Sequence, residues 1–140
     1  MLPSTKEWEN IISNLGINNS DHVIVYDNSD VFSSCRVWYT FLYFGHNPEL
    51  ISVLDGNFEK WKSEKRSTSQ EIKKINKSNY IANENLQLVL SKDQINKNII
   101  SKKFQLIDAR GEKRFLGLQP EPRKELRSGN IKGSKNLPFQ

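Results

Sequence analysis

The sequence predicts an α/β fold in which a parallel sheet is flanked by helices. Two observations carry that prediction. Short runs of apolar residues alternate with stretches of helical periodicity, in the order helix, strand, helix, strand, helix. Strands separated by helices pair in parallel, because a helical crossover returns the chain to the sheet running in the same direction. At 140 residues, 36% hydrophobic and 26% charged, the chain has ordinary globular composition, and size alone argues for one domain.

Ser4 and Glu7 have the S-x-x-E spacing of a capping box, in which each side chain satisfies an orphan amide of the first turn. Trp8, Ile11, Ile12 and Leu15 follow at helical spacing, and Gly16 supplies the stop. The run His22 to Asp27 reads as a strand buried on both faces, and Asn28, Ser29 and Asp30 form the turn after it. Ser33 to Phe44 predicts a second helix with Val37, Trp38, Phe41 and Leu42 on one face, closed by Gly45. Leu50 to Leu54 is a further strand, ending in the turn pair Asp55-Gly56, and a third helix carries Phe58 and Trp61. Trp38 and Trp61 are expected core residues.

From Ser63 to about Lys77 the periodicity gives way to polar residues, which marks a linker. After the short apolar run Leu86 to Leu90, Ser91 and Gln94 repeat the capping-box spacing, with Leu90 and Ile95 placed as a hydrophobic staple. Phe104 to Asp108 is a strand ending in aspartate. From Arg110 to Gly133 the chain is polar and rich in Gly and Pro. That is longer than a connector needs, and long ordered loops usually carry function.

Several function classes are set aside. No apolar run approaches the roughly 18 residues that cross a bilayer, and the N-terminus lacks a secretory pattern. The single cysteine, Cys35, cannot form an internal disulfide, which fits a reducing compartment. His22 and His46 stand far apart without a companion cluster, so no metal is expected, and His46 should satisfy backbone carbonyls after Gly45. The net charge of +5 opens a nucleic-acid reading. Against it, lysine and glutamate are interleaved, as in Glu59-Lys60-Trp61-Lys62-Ser63-Glu64, and no nucleic acid is expected.

Three stretches then carry a resemblance. The first is Val23-Ile24-Val25-Tyr26-Asp27 with Arg36-Val37-Trp38, Phe44-Gly45-His46, Val53-Leu54-Asp55-Gly56 and Trp61. The second is Leu106-Ile107-Asp108-Ala109-Arg110 with Arg114-Phe115, Gly117 and Pro120-Glu121-Pro122-Arg123. The third is Ser128-Gly129-Asn130-Ile131-Lys132-Gly133 running into Asn136-Leu137-Pro138-Phe139. In this order the chain resembles the two-domain sulfurtransferases of the rhodanese and 3-mercaptopyruvate type. It departs from their pattern at Asn57, Asn130 and Lys132, all in turns. Met1-Leu2-Pro3 and Asn136-Leu137-Pro138 look like the same point in two repeats.

The resemblance implies a rhodanese-like fold, a parallel sheet with helices on both faces, in two incomplete repeats. Residues 1–64 would be the second half of a non-catalytic domain, 65–80 a linker, and 81–140 the first half of a catalytic domain lacking its cysteine loop. It further implies transfer of sulfane sulfur from 3-mercaptopyruvate or thiosulfate, through a cysteine persulfide, to a thiol or cyanide. The isolated chain would then be inactive, without cofactor or metal, and cytoplasmic or mitochondrial. A non-catalytic rhodanese-homology module for protein interaction is the competing reading.

Cys35 is the tempting nucleophile, but it falls inside the second predicted helix rather than in a loop after a strand. The position equivalent to the family's cysteine is Asp27, and Cys35 is expected as a small buried side chain. The family's substrate-binding arginines map onto Arg114 and Arg123. Arginine suits that role because its rigid fork of donors matches carboxylate and thiosulfate oxygens. The alternative is that both brace the loop through Glu112, Glu121 or Glu125. Arg110 is expected to pair with Asp108.

Overall fold

Helix α1 (Thr5–Asn14) opens on a closed capping box: Ser4 N donates to Glu7 Oε2 at 2.8 Å, and Glu7 N donates to Ser4 Oγ at 3.4 Å. The structure is a computed structural model describing residues 2–29, 33–123 and 125–138. Asp30, of the first expected turn, and Phe139, of the third motif, lie outside the described residues. The chain divides into two units, Met1–Val89 and Leu90–Gln140.

In the first unit, β1 (Val23–Val25) leads through α2 (Ser33–Tyr43) to β2 (Ile51–Val53), with a turn of 3-10 helix at Pro48–Leu50 before it. The two strands pair in parallel with Val23 opposite Ile51 and Val25 opposite Val53. This is the predicted strand–helix–strand crossover. Helix α3 (Asn57–Ser63) follows the Asp55-Gly56 turn. The core gathers Trp8 and Ile12 of α1, Phe41, Tyr43 and Phe44 of α2 and its end, Ile51 of β2, and Tyr80 and Ala82. Its aromatic rings meet edge-on and stacked, Trp8 with Phe41 at 5.1 Å and with Phe44 at 5.2 Å between centroids.

Residues 78–85, expected as linker up to 80 and as second segment from 81, pack on this unit. Tyr80 N donates to Ser13 Oγ, Ala82 N to Glu9 Oε1 and Asn83 N to Phe44 O, each at 3.0 Å. Glycine is required where the chain around residues 76–83 crosses the helix ends. Gly16 and Gly45 hold φ of +71° and +77°, and a Cβ there would meet Asn76 O at 2.9 Å and Asn83 O at 2.6 Å.

Three expectations about burial change. Val23 and Val25 face α2, but Ile24 is 59% exposed and Tyr26 57%, so β1 is covered on one face only. Ile11 of α1 and Leu15 just after it are likewise about half exposed, leaving Trp8 and Ile12 to face the core. Trp61 lies half-buried on the surface, with its indole N–H donating to Ser67 O at 2.9 Å and the Arg66 guanidinium 5.4 Å above its ring. Trp38 is partly buried against the core.

The second unit begins with α4 (Lys92–Ser101), capped by the predicted box, Ser91 N to Gln94 Oε1 at 2.7 Å and Gln94 N to Ser91 Oγ at 3.3 Å. Buried Asn98 donates to Phe104 O at 2.8 Å and accepts from Phe104 N at 3.0 Å. With Phe104 engaged in that way, the strand shortens to β3 (Ile107–Asp108), which pairs in parallel with β4 (Lys135–Asn136). Between them the loop holds one turn of helix, α5 (Glu112–Phe115). Among the described residues, no helix is long and apolar enough to cross a membrane.

Candidate functional site

Asp108 ends β3, and the loop beyond it folds back through an arginine–carboxylate cluster. Arg110 turns onto Asp108: its own amide and Nε donate to Oδ1 at 3.0 Å, and Nη2 donates to Oδ2 at 2.6 Å. Its Nη2 also reaches Gly129 O at 2.7 Å, and its Nη1 reaches Glu121 Oε1 at 2.6 Å. Glu121, with only 3% of its side chain exposed, takes Arg114 on its other side. Arg114 Nη2 donates to Glu121 Oε2, and Nε lies 3.4 Å from Oε1. Asn136 of β4 closes the base, its side-chain amide donating to Asp108 O at 2.9 Å and to Arg110 O at 2.8 Å.

Glu121 reaches inward because the prolines on either side stiffen it. Pro120 and Pro122 each fix one φ, and the residue before a proline is driven to extended backbone. The hydrogen bonds from Arg114, and then its charge and that of Arg110, hold the Glu121 carboxyl below the usual carboxylate range against the opposing effect of burial. Asp108 is lowered in the same direction, chiefly by the side-chain hydrogen bond from Arg110. Both carboxylates are therefore ionised at neutral pH, and the cluster of two arginines and two carboxylates is neutral.

The structure separates the two arginines singled out from the sequence. Arg114 is bound to Glu121, a bracing contact, and through it is linked to Arg110. Arg123 is exposed and makes no ion pair among the described residues. Arg110 pairs with Asp108 as expected, but it also engages Glu121, which sequence reasoning left as one of three candidate braces. The proline on each side of Glu121 was the signal that could have selected it.

The first unit has a second concave feature at the carboxyl ends of β1 and β2, a cleft of about 560 Å3. Cys35 opens on it and is exposed, not buried as the sequence led us to expect. The reason is helical rotation. Ser34 takes the inward position in the first turn of α2, and Cys35 lies about 100° further round. Asp27 stands at the end of β1 and accepts from Ser34 N at 2.6 Å, which holds its carboxyl below the ordinary value. Asp27, Asp55 and Glu59 line the cleft with Cys35, and among the described residues no Lys or Arg does.

His46 is buried, with Nε2 3.2 Å from Asp21 O and Nδ1 3.1 Å from the Tyr80 hydroxyl. The carbonyl requires a donor, so Nε2 carries the proton and Nδ1 accepts from Tyr80. This is a structural histidine. Among the described residues, no group of three His, Cys, Asp or Glu is placed to hold a metal.

Residues 1–64 match the family model described as a rhodanese-like domain. Over residues 1–64 the chain carries a rhodanese-like domain. Its α/β fold with parallel strands is the rhodanese-like fold, shared with the SseA protein of Escherichia coli, solved as a 3-mercaptopyruvate sulfotransferase. That match has a TM-score of 0.85 and 28% identity, and it covers 99% of this chain and 50% of the other. The chain is also 42% identical over 142 residues to thiosulfate sulfurtransferase of Mus musculus, and 36% identical over 141 residues to 3-mercaptopyruvate sulfurtransferase of Rattus norvegicus. Each match covers 99% of this chain and 47% of the relative, so the chain spans about half the length of these curated relatives.

Proposed function

We propose that this chain is part of a sulfurtransferase that moves sulfane sulfur from 3-mercaptopyruvate or thiosulfate to a thiol or cyanide. In this reading residues 1–64 belong to a non-catalytic rhodanese repeat, and the loop after β3 belongs to a catalytic one. Arg114 and Arg123 receive the donor's anionic oxygens. The observation that carries the reading is the state of those arginines. Arg114 is clasped by Glu121 with its Nη1 unengaged among the described residues, and Arg123 further along the same loop is exposed.

The reaction needs a thiolate. It attacks the outer sulfur of thiosulfate, the S–S bond breaks, and sulfite leaves with the electron pair. With 3-mercaptopyruvate the C–S bond breaks instead, and the enolate of pyruvate leaves and takes up a proton. The acceptor then attacks the outer sulfur of the persulfide, and the thiolate is released. Each leaving group is an anion whose charge grows as the bond breaks, which is where guanidinium donors stabilise the transition state. We assign the thiolate to a cysteine outside these 140 residues, because Cys35 opens on a cleft lined by carboxylates. The lone cysteine supports a reducing compartment, cytoplasmic or mitochondrial.

That cleft also favours a second reading, a rhodanese-homology module that binds partners without catalysis. An assay of the chain with either donor plus cyanide, reading thiocyanate formed, tests the assignment of the thiolate. The expected result is no turnover above the uncatalysed rate. Turnover that disappears in Cys35→Ser overturns it. The two readings are separated by supplying the missing cysteine: the chain joined to a catalytic half that carries one turns over in the first reading and does not in the second.

A further inference from the structure

The N–H inventory of the two clasped arginines is unequal. Every nitrogen of the Arg110 guanidinium is engaged, by Asp108, Gly129 O and Glu121. Arg114 spends Nε and Nη2 on Glu121 and keeps Nη1 without a partner among the described residues, on a side chain about one third exposed. One carboxylate, almost wholly enclosed, thus grips one edge of Arg114 and leaves another edge open. Arg110 fixes that carboxylate in turn, anchored to the end of β3 through Asp108.

We propose that Glu121 is a positioning residue that pre-orients Arg114 to receive the anionic group of the sulfur donor. The proposal rests on the reading of Arg114 given above and adds the residue that aims it. An arginine has a long flexible stem, and fixing it in advance removes an ordering cost that binding would otherwise meet. The opposing effect is electrostatic, since a carboxylate beside Arg114 weakens its pull on an anion. The two effects predict opposite outcomes for one substitution. Glu121→Gln raises the charge of the cluster from neutral to one positive, so charge alone predicts tighter anion binding. Positioning predicts weaker binding.

The test titrates the full 140-residue chain with thiosulfate and follows the Nε–H signals of its arginines by NMR, with the β3 and β4 amides as a check on folding. In the unaltered chain the Arg114 signal shifts on binding and exchanges slowly with solvent. Glu121→Gln should weaken thiosulfate binding roughly tenfold and speed Arg114 Nε–H exchange, as expected for loss of a charge-assisted hydrogen bond. Glu121→Asp, which keeps the charge on a shorter arm, should recover part of the affinity. Unchanged or tighter binding in Glu121→Gln overturns the proposal. Arg114→Ala controls the underlying reading: if it binds thiosulfate as the unaltered chain does, Arg114 is no anion site and both ideas fall. Absence of thiosulfate binding to the unaltered chain has the same consequence. If Glu121→Gln loses the β3–β4 signals, Glu121→Asp decides, and unchanged affinity with unchanged Arg114 exchange then refutes positioning.

Discussion

The first unit encloses Ile12, Phe44 and Tyr80 almost completely, whereas the second encloses no apolar side chain among its described residues and instead buries Asn98 and the carboxylate of Glu121. The charges differ in the same sense. Residues 1–89 hold nine Lys and Arg against eleven Asp and Glu, and residues 90–140 hold twelve against five. An aromatic core is non-directional and insensitive to pH, and it tolerates imprecise geometry better than a polar network does. A network of buried amide and paired ions is directional but depends on every partner being present. The difference teaches why a loop that orients guanidinium groups belongs in the second kind of unit. Aiming a guanidinium calls for directional bonds, and packing alone does not supply them.

The largest test of this contrast is Phe44→Ala. Removing a fully buried aromatic ring costs about 3–5 kcal/mol, which should collapse the first unit, read as loss of near-ultraviolet circular dichroism and of amide protection in α2 and β1. The β3–β4 amides should keep their exchange rates. Coincident loss in both units would break the distinction.

Asn98→Ala makes the opposite cut. It removes both bonds to the Phe104 backbone, and an unsatisfied buried group costs about 1–3 kcal/mol. Protection should fall in α4 and β3 and stay unchanged in α2. Equal protection of Phe104 in the variant would show that the amide clasp contributes nothing.

The smallest effect sharpens the comparison through pH. Asp108 and Glu121 have lowered folded-state values, caused first by hydrogen bonds from Arg110 and Arg114 respectively. A depressed carboxylate contributes stability that is complete above its unfolded value, about 4, and is lost as pH falls through its lower folded value. The second unit should therefore loosen on acidification below about pH 4, seen as faster exchange at β3 and β4. Glu7 and Asp27 of the first unit are lowered too, but there the aromatic core remains when they protonate. Loosening of the first unit before the second would reverse the ranking.

Some of this was legible in advance, and the pattern of what was legible has a physical basis. Both capping boxes were readable because their partners stand three residues apart, within one helical turn. The parallel pairing of β1 with β2 followed from the helix between them, and the Asp108–Arg110 pair from their closeness in sequence. For the site, the sequence showed which arginines to consider and which glutamates could answer them. It did not show which glutamate does.

Left to the tertiary structure were the facts that depend on what lies across space. A rotation of about 100° between neighbours on a helix exposes Cys35 and buries Ser34, and periodicity could not place the covered stripe that finely. Ile24 and Tyr26 are exposed because cover for the second face of a strand comes from elements distant in sequence. The strip 78–85 was read as linker up to 80 and as the second segment from 81, because no local pattern shows that its backbone bonds to Ser13, Glu9 and Phe44. By itself the sequence determined the local elements and the chemistry available to the loop after β3. The tertiary structure decided which edge of Arg114 Glu121 occupies and which is left open, because the path of the loop between them sets how the two side chains meet, and the spacing of residues does not encode that path.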